Sequence, residues 1–182
     1  MRYYYDCEFI DDGLTIDLIS IGMVAEDGRE FYAISTEFVA NKASDWVKEN
    51  VLIHLPKIET KIYSLGKDVR GIGVSNTHIP DEYKSRLEIK NSILDFCNPE
   101  KYGKPEFWAY YADYDHVALC QLFGTMMDLP KGWPMYTCDI KQLCDSLGNH
   151  KLPEQKEGEH NALADARHNR VMYEYLLKIQ CC

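Results

Sequence analysis

The sequence lacks any apolar run near the roughly 20 residues that a membrane-spanning helix needs, which excludes a chain built on such helices. Its first ten residues form a charged strand pattern, without the apolar h-region of a secretory signal. No C-x-x-C pair occurs among its 7 cysteines, and their number is odd. Neither a disulfide framework nor a zinc site is therefore expected, and reduced thiols in a cytoplasm are. Basic residues are the minority, 20 Lys and Arg against 29 Asp and Glu, for a net charge of −9. That argues against tight non-specific nucleic-acid binding through counterion release. It leaves room for an enzyme that holds nucleic acid briefly, because metal-binding carboxylates carry negative charge that cations offset in use. Repeats and linkers are also missing, so the 182 residues are expected to form one domain over 1–182.

What is present is a chain 46% hydrophobic, enough for a globular core. Strands are expected over residues 2–10, 15–25 and 30–36, joined by turns at Asp11-Asp12-Gly13 and Glu26-Asp27-Gly28-Arg29, an antiparallel meander. A short helix over 44–52 follows, with Ser44 as N-cap and Pro56 as its stop. Residues 57–80 read as loop. Helices are expected over 81–97, about 114–124, 139–147 and 161–179, and strands over 106–111 and 133–137. The polar segment 148–159 reads as loop. A meander followed by strand–helix alternation predicts an α/β fold, a mixed sheet with helices packed on it.

Three acidic stretches stand out. In Tyr3-Tyr4-Tyr5-Asp6-Cys7-Glu8-Phe9, strand alternation puts Asp6 and Glu8 on one face. Two acids on a buried strand are costly unless a positive charge sits between them, and a divalent cation supplies one; a solvated edge strand is the plainer alternative. In Tyr110-Tyr111-Ala112-Asp113-Tyr114-Asp115-His116 the acids open a helix, where dipole and free amides favour them, and Asp113 fits a capping role. Asp115 shares a stripe with Ala118, Leu119 and Leu122 that faces the core, while Asp113 heads a similar stripe through Val117 and Cys120. In Glu159-His160-Asn161-Ala162-Leu163-Ala164-Asp165, His160 and Asp165 diverge on a continuous helix. They converge if His160 lies in the preceding loop and Asn161 is the N-cap.

Together these pieces resemble the DEDDh branch of 3′–5′ exonucleases in the ribonuclease H-like superfamily. The resemblance rests on Asp6-Cys7-Glu8, Tyr114-Asp115 and His160-Asn161-Ala162-Leu163-Ala164-Asp165, in that order, and spans roughly residues 3 to 175. Within the branch the chain is similar to the small bacterial polyadenylate-specific 3′-exoribonucleases (the RNase AS group) in Asp6–Ile10, Leu18–Gly22 and Tyr114–Leu122. It departs from the wider branch after Glu8, where Phe9 and Ile10 replace small polar residues.

The resemblance implies a ribonuclease H-like fold and hydrolysis with two Mg²⁺ (or Mn²⁺) ions held by hard oxygen ligands about 4 Å apart. Asp6 would bridge both ions, Glu8 and Asp165 would complete one site, and Asp115 would hold the second ion. His160 would be the general base, for which an ordinary imidazole pKa near 6.5 is suited. The substrate would be an RNA 3′ end, adenylate-rich by the group likeness, and the protein a homodimer in the cytoplasm. Phe9 and Met23 are candidates to stack on terminal bases, and Lys67, Arg70, Lys84, Arg86 and Lys90 to contact phosphates; core packing and solvated surface are the plainer readings. Two other functions fit the same pieces, an exodeoxyribonuclease of proofreading type and a non-catalytic nucleic-acid-binding domain.

Overall fold

A computed structural model describes residues 1–62 and 75–180. The meander forms as expected, with β1 (Arg2–Asp11), β2 (Ile16–Ala25) and β3 (Glu30–Ser35) paired antiparallel. Ser44 caps α1 (Asp45–Asn50) by accepting the Val47 amide at 3.2 Å. Residues 57–80 depart from the loop reading: β4 (Glu59–Ile62) and β5 (Ser75–His78) pair antiparallel as a ribbon separate from the main sheet. Lys67 and Arg70 lie outside the described residues.

β6 (Tyr83–Lys84) joins the main sheet, so α2 (Arg86–Phe96) starts later than expected. Its start is set by a capping box between Ser85 and Glu88. A short α3 (Pro99–Tyr102) precedes β7 (Glu106–Ala109), which runs parallel to β1. After α4 (Asp113–Gln121) the expected strand over 133–137 is absent, and β8 (Cys138–Asp139) forms immediately beyond it, leading into α5 (Ile140–Ser146). Pro134 cannot donate to a ladder, and the Trp133 amide is used in a turn to the Pro130 carbonyl, so pairing with β7 begins only at Cys138. The last element is α6 (Ala162–Gln180).

The main sheet has six strands in the order β6-β3-β2-β1-β7-β8, antiparallel at β1–β2–β3 and parallel elsewhere, with helices flanking it. This mixed α/β sheet is compatible with the ribonuclease H-like arrangement. No helix among the described residues is long and apolar enough to cross a membrane.

The faces of β1 have different duties. Tyr3, Tyr5 and Cys7 pack with Ile21, Met23, Ile89, Ile93, Ala118 and Leu119 in the largest apolar cluster, beneath α2 and α4. On the opposite face Tyr4 packs with Ile140 and Cys144 of α5 and with Met172, Tyr173 and Leu176 of α6. Further along that face Ile10 packs with Ile19, Ala43 and Val51. Asp6 and Glu8 fall between those two apolar clusters, where strand alternation predicts them. A bulge at Glu8/Phe9 leaves Ile19 without a partner, since Glu8 pairs with Ser20 and Phe9 with Leu18. The extra residue lets Leu18 join the large cluster while Ile19 joins that of Ile10.

Candidate active site

The last helix reaches the acids because β2 has no side chain where they meet. Gly22 pairs with Asp6 in the ladder. A Cβ at Gly22 would stand 2.3 Å from the Ala162 carbonyl carbon and the Leu163 nitrogen, so only glycine admits the start of α6 there. Seven residues on, Asn169 is buried and its Nδ2 donates to the Tyr5 carbonyl at 2.8 Å, pinning α6 to the strand beside Asp6. Arg167 adds a two-pronged ion pair with Glu30, at 2.8 and 2.6 Å.

At the helix start, Asn161 caps as expected, its Oδ1 accepting the Ala164 amide at 3.1 Å. His160 precedes the helix in the left-handed backbone region, φ 65°, which turns it out of the helical path. Its ring meets that of Trp46 edge-on, with centroids 4.8 Å apart. Trp46 comes from α1 and is 54% exposed, so the imidazole rests against a ring open to solvent.

Ligand oxygens of Asp6, Glu8 and Asp165 lie within 4.8 Å of one another, and each residue is half-buried. Three carboxylates this close repel unless protonated or bridged by positive charge. Burial, followed by the charges of Asp115, Glu8 and Asp165, holds Asp6 well above the usual carboxylate range. Burial, with Asp165 and Asp115 nearby, pushes Glu8 up to about 7. Asp165 is raised by burial, against the pull of hydrogen bonds from Gln155 and the His160 backbone. The ion pairs of the described residues involve none of the three. An all-oxygen donor set with unbalanced negative charge fits a hard divalent cation such as Mg²⁺ or Mn²⁺.

Asp115 and Asp113, which head similar helix stripes, are placed differently. Asp115 is 6% exposed, and its Oδ1 accepts the Cys7 amide at 2.7 Å. That bond fixes it between the two acids of β1 in sequence, but it stays outside the close group of three. Burial pushes its carboxyl up to about 7 despite the Cys7 bond. Asp113 is exposed and makes no capping bond; Ala112 is the N-cap of α4. The Ala112 amide donates instead to Asp139 Oδ2 at 2.7 Å, so an acid from the next strand fixes the helix that carries Asp115. Beside the acids a cleft of 630 Å³ is lined by Asp6, Gln155, Glu159, His160 and Asp165, among others. A second hollow of 330 Å³ adjoins Glu8, Phe9 and Trp46.

Comparison with known proteins shows what the chain is similar to. The 3'-5' exoribonuclease Rv2179c-like domain matches residues 72–177. The chain is 41% identical over 167 residues to 3'-5' exoribonuclease Rv2179c of Mycobacterium tuberculosis (strain ATCC 25618 / H37Rv), covering 92% of this chain and 88% of that protein. It shows the same identity and coverage with 3'-5' exoribonuclease MT2234.1 of M. tuberculosis (strain CDC 1551 / Oshkosh). The chain belongs to the Rv2179c-like 3'-5' exoribonuclease family.

In this member of the Rv2179c-like family, Asp6, Glu8, Asp115, His160 and Asp165 come together from three separate parts of the chain. Phe9 stacks on Tyr114, centroids 6.0 Å apart and planes 19° from parallel, while Ile10 is simply core. Met23 corrects the expectation of a base contact: it is fully buried in the cluster on the opposite face, where no substrate reaches. Of the basic residues named as a possible rim, Arg86 pairs with Asp17 at 2.8 Å, Lys84 donates to the Asp81 carbonyl, and Lys90 lies over the Phe123 ring. Sequence reasoning passed over Gly22, Asn169, Asp139, Gln155 and Trp46. A glycine inside an apolar strand signals close backbone approach, and an asparagine on the apolar stripe of α6 signals a buried bond. Asp139, Gln155 and Trp46 carry no such mark.

Proposed function

We propose that this protein is a divalent-cation-dependent 3′–5′ exoribonuclease of DEDDh type, which removes nucleoside 5′-monophosphates one by one from RNA. The reading is carried by one observation, the convergence of Asp6, Glu8 and Asp165 within 4.8 Å in a chain of an exoribonuclease family. Two Mg²⁺ or Mn²⁺ ions, when bound, supply the charge that stabilises a phosphodiester undergoing hydrolysis.

The chain's own groups do the rest. Asp6, Glu8, Asp165 and Asp115 are the residues that would hold the ions. Burial raises the carboxyls of all four acids, and a bound cation favours their charged forms, which ties ionisation of the site to cation binding. His160, outside the helix and resting on an exposed ring, takes the proton of the attacking water. Phe9, stacked with Tyr114 beside Glu8, offers an aromatic surface to the terminal base, worth about 1–3 kcal/mol per stacked base. The resemblance supports a preference for adenylate, a homodimer, and a cytoplasmic protein made of one exonuclease domain.

The test uses 3′-labelled RNA and DNA oligomers of matched sequence, with adenylate or uridylate 3′ ends, in Mg²⁺. Label released as the terminal nucleoside 5′-monophosphate, faster from RNA than DNA and from adenylate than uridylate ends, is the expected result. Equal or faster release from DNA overturns the RNA assignment, and no release from any oligomer overturns the enzyme assignment.

A further inference from the structure

Among the contacts of the four acids, one comes from a loop with no regular structure. Gln155 Nε2 donates to Asp165 Oδ1 at 2.6 Å, and the same nitrogen lies 3.3 Å from the Glu157 carbonyl. The loop is tied to α6 a second time, where His168 Nε2 meets the Pro153 carbonyl at 3.1 Å. Gln155 is half-buried and lines the cleft. Its loop neighbours include the acids Glu154, Glu157 and Glu159 as well as Lys156, and the residue that touches Asp165 is a neutral donor. A carboxylate in its place would repel Asp165; an amide holds it.

The terminal torsion of an aspartate is soft, and a carboxylate without a partner samples a broad range of rotations. A donor at 2.6 Å removes that freedom. Groups that orient a metal ligand in this way typically change metal affinity about 10–100-fold. We infer that Gln155 is a positioning residue for Asp165, fixing the rotation of its carboxylate toward Asp6 and Glu8 before a cation arrives. The inference rests on the cation-binding reading given above. The loop that leads to His160 thereby reaches the carboxylate of Asp165 itself, besides its tie to α6 at His168.

The test is Mn²⁺ binding by isothermal titration, with nucleotide release measured in parallel. Gln155→Met keeps the length and removes the donor, Gln155→Ala removes the side chain, and Asp165→Asn is the reference. Both Gln155 variants are expected to weaken Mn²⁺ binding about 10–100-fold. Nucleotide release at limiting Mn²⁺ should fall in parallel, and their melting temperature in EDTA should not change, a split that a merely structural role does not produce. Mn²⁺ affinity within twofold of the parent in both Gln155 variants, with binding lost in Asp165→Asn, overturns the role of Gln155 and leaves the cation site standing. Unchanged binding in Asp165→Asn as well overturns the cation site and this inference with it.

Discussion

The site is assembled from two regions held by different means. Asp6 and Glu8 are part of the central strand β1, paired there with Gly22 and Ser20 of β2 and set between apolar clusters. Their positions follow from strand alternation alone. Asp165 and His160 arrive from the far end of the chain, and their positions depend on a handful of contacts: the bare face of Gly22, the Asn169 bond to Tyr5, the Gln155 bond to Asp165, the ring of Trp46. The difference teaches that the strand half is robust and the helix half adjustable. Substitutions in the first should remove chemistry without moving structure, whereas substitutions under the second should move structure and so change chemistry indirectly.

The largest expected effect is in the strand half. Asp6→Asn should lower nucleotide release by about 10⁴-fold or more, because interactions worth several kcal/mol in the transition state are lost. The fold should survive, since the substitution relieves repulsion, and circular dichroism and melting in EDTA should match or exceed the parent. Asp113→Asn, at an exposed position two residues before Asp115, should change neither. In the helix half, His160→Ala should slow turnover about 10²–10⁴-fold, the usual worth of a general base, with Mn²⁺ affinity from titration preserved.

Gly22→Ala joins the two halves. A Cβ 2.3 Å from the Ala162 backbone must push α6 away, at a cost of about 1–3 kcal/mol in urea unfolding. Displacing Asp165 should also cost activity, up to about 100-fold for a 1 Å shift. Unaltered activity and stability would show that the helix half does not depend on this contact.

The smallest effect concerns pH. Glu8 and Asp115 are each pushed up to about 7 from ordinary values of 4.5 and 3.8. Between those limits the native chain binds more protons than the unfolded one, so stability should fall as pH rises. Without metal, the melting temperature should be a few degrees lower at pH 8 than at pH 5, and saturating Mg²⁺ should reverse that order.

How much of this was legible beforehand follows the same division. The meander and the shared face of Asp6 and Glu8 came from periodicity, which a ladder enforces locally, whereas Asp115 and Asp113 head similar helix stripes and the choice of Asp115 came from the resemblance. The loop position of His160 came from cap chemistry at Asn161. Met23 misled because a strand's sequence does not say which face is covered, and its face lies under α2 and α4. The β4–β5 ribbon went unread because its short segments lack an alternating pattern, and pairing alone defines them. Gln155 and Trp46 went unread because each acts through a contact with a residue distant in the chain or in an irregular loop, which no local pattern encodes.

The most direct test of the whole account is nucleotide release from a 3′-labelled adenylate-ended RNA, measured in Mg²⁺, in excess EDTA, and after Mg²⁺ is restored. Release that stops in EDTA and returns with Mg²⁺ is the predicted result. Undiminished release in excess EDTA would contradict it, for the carboxylates of Asp6, Glu8 and Asp165 would then have no cation to hold.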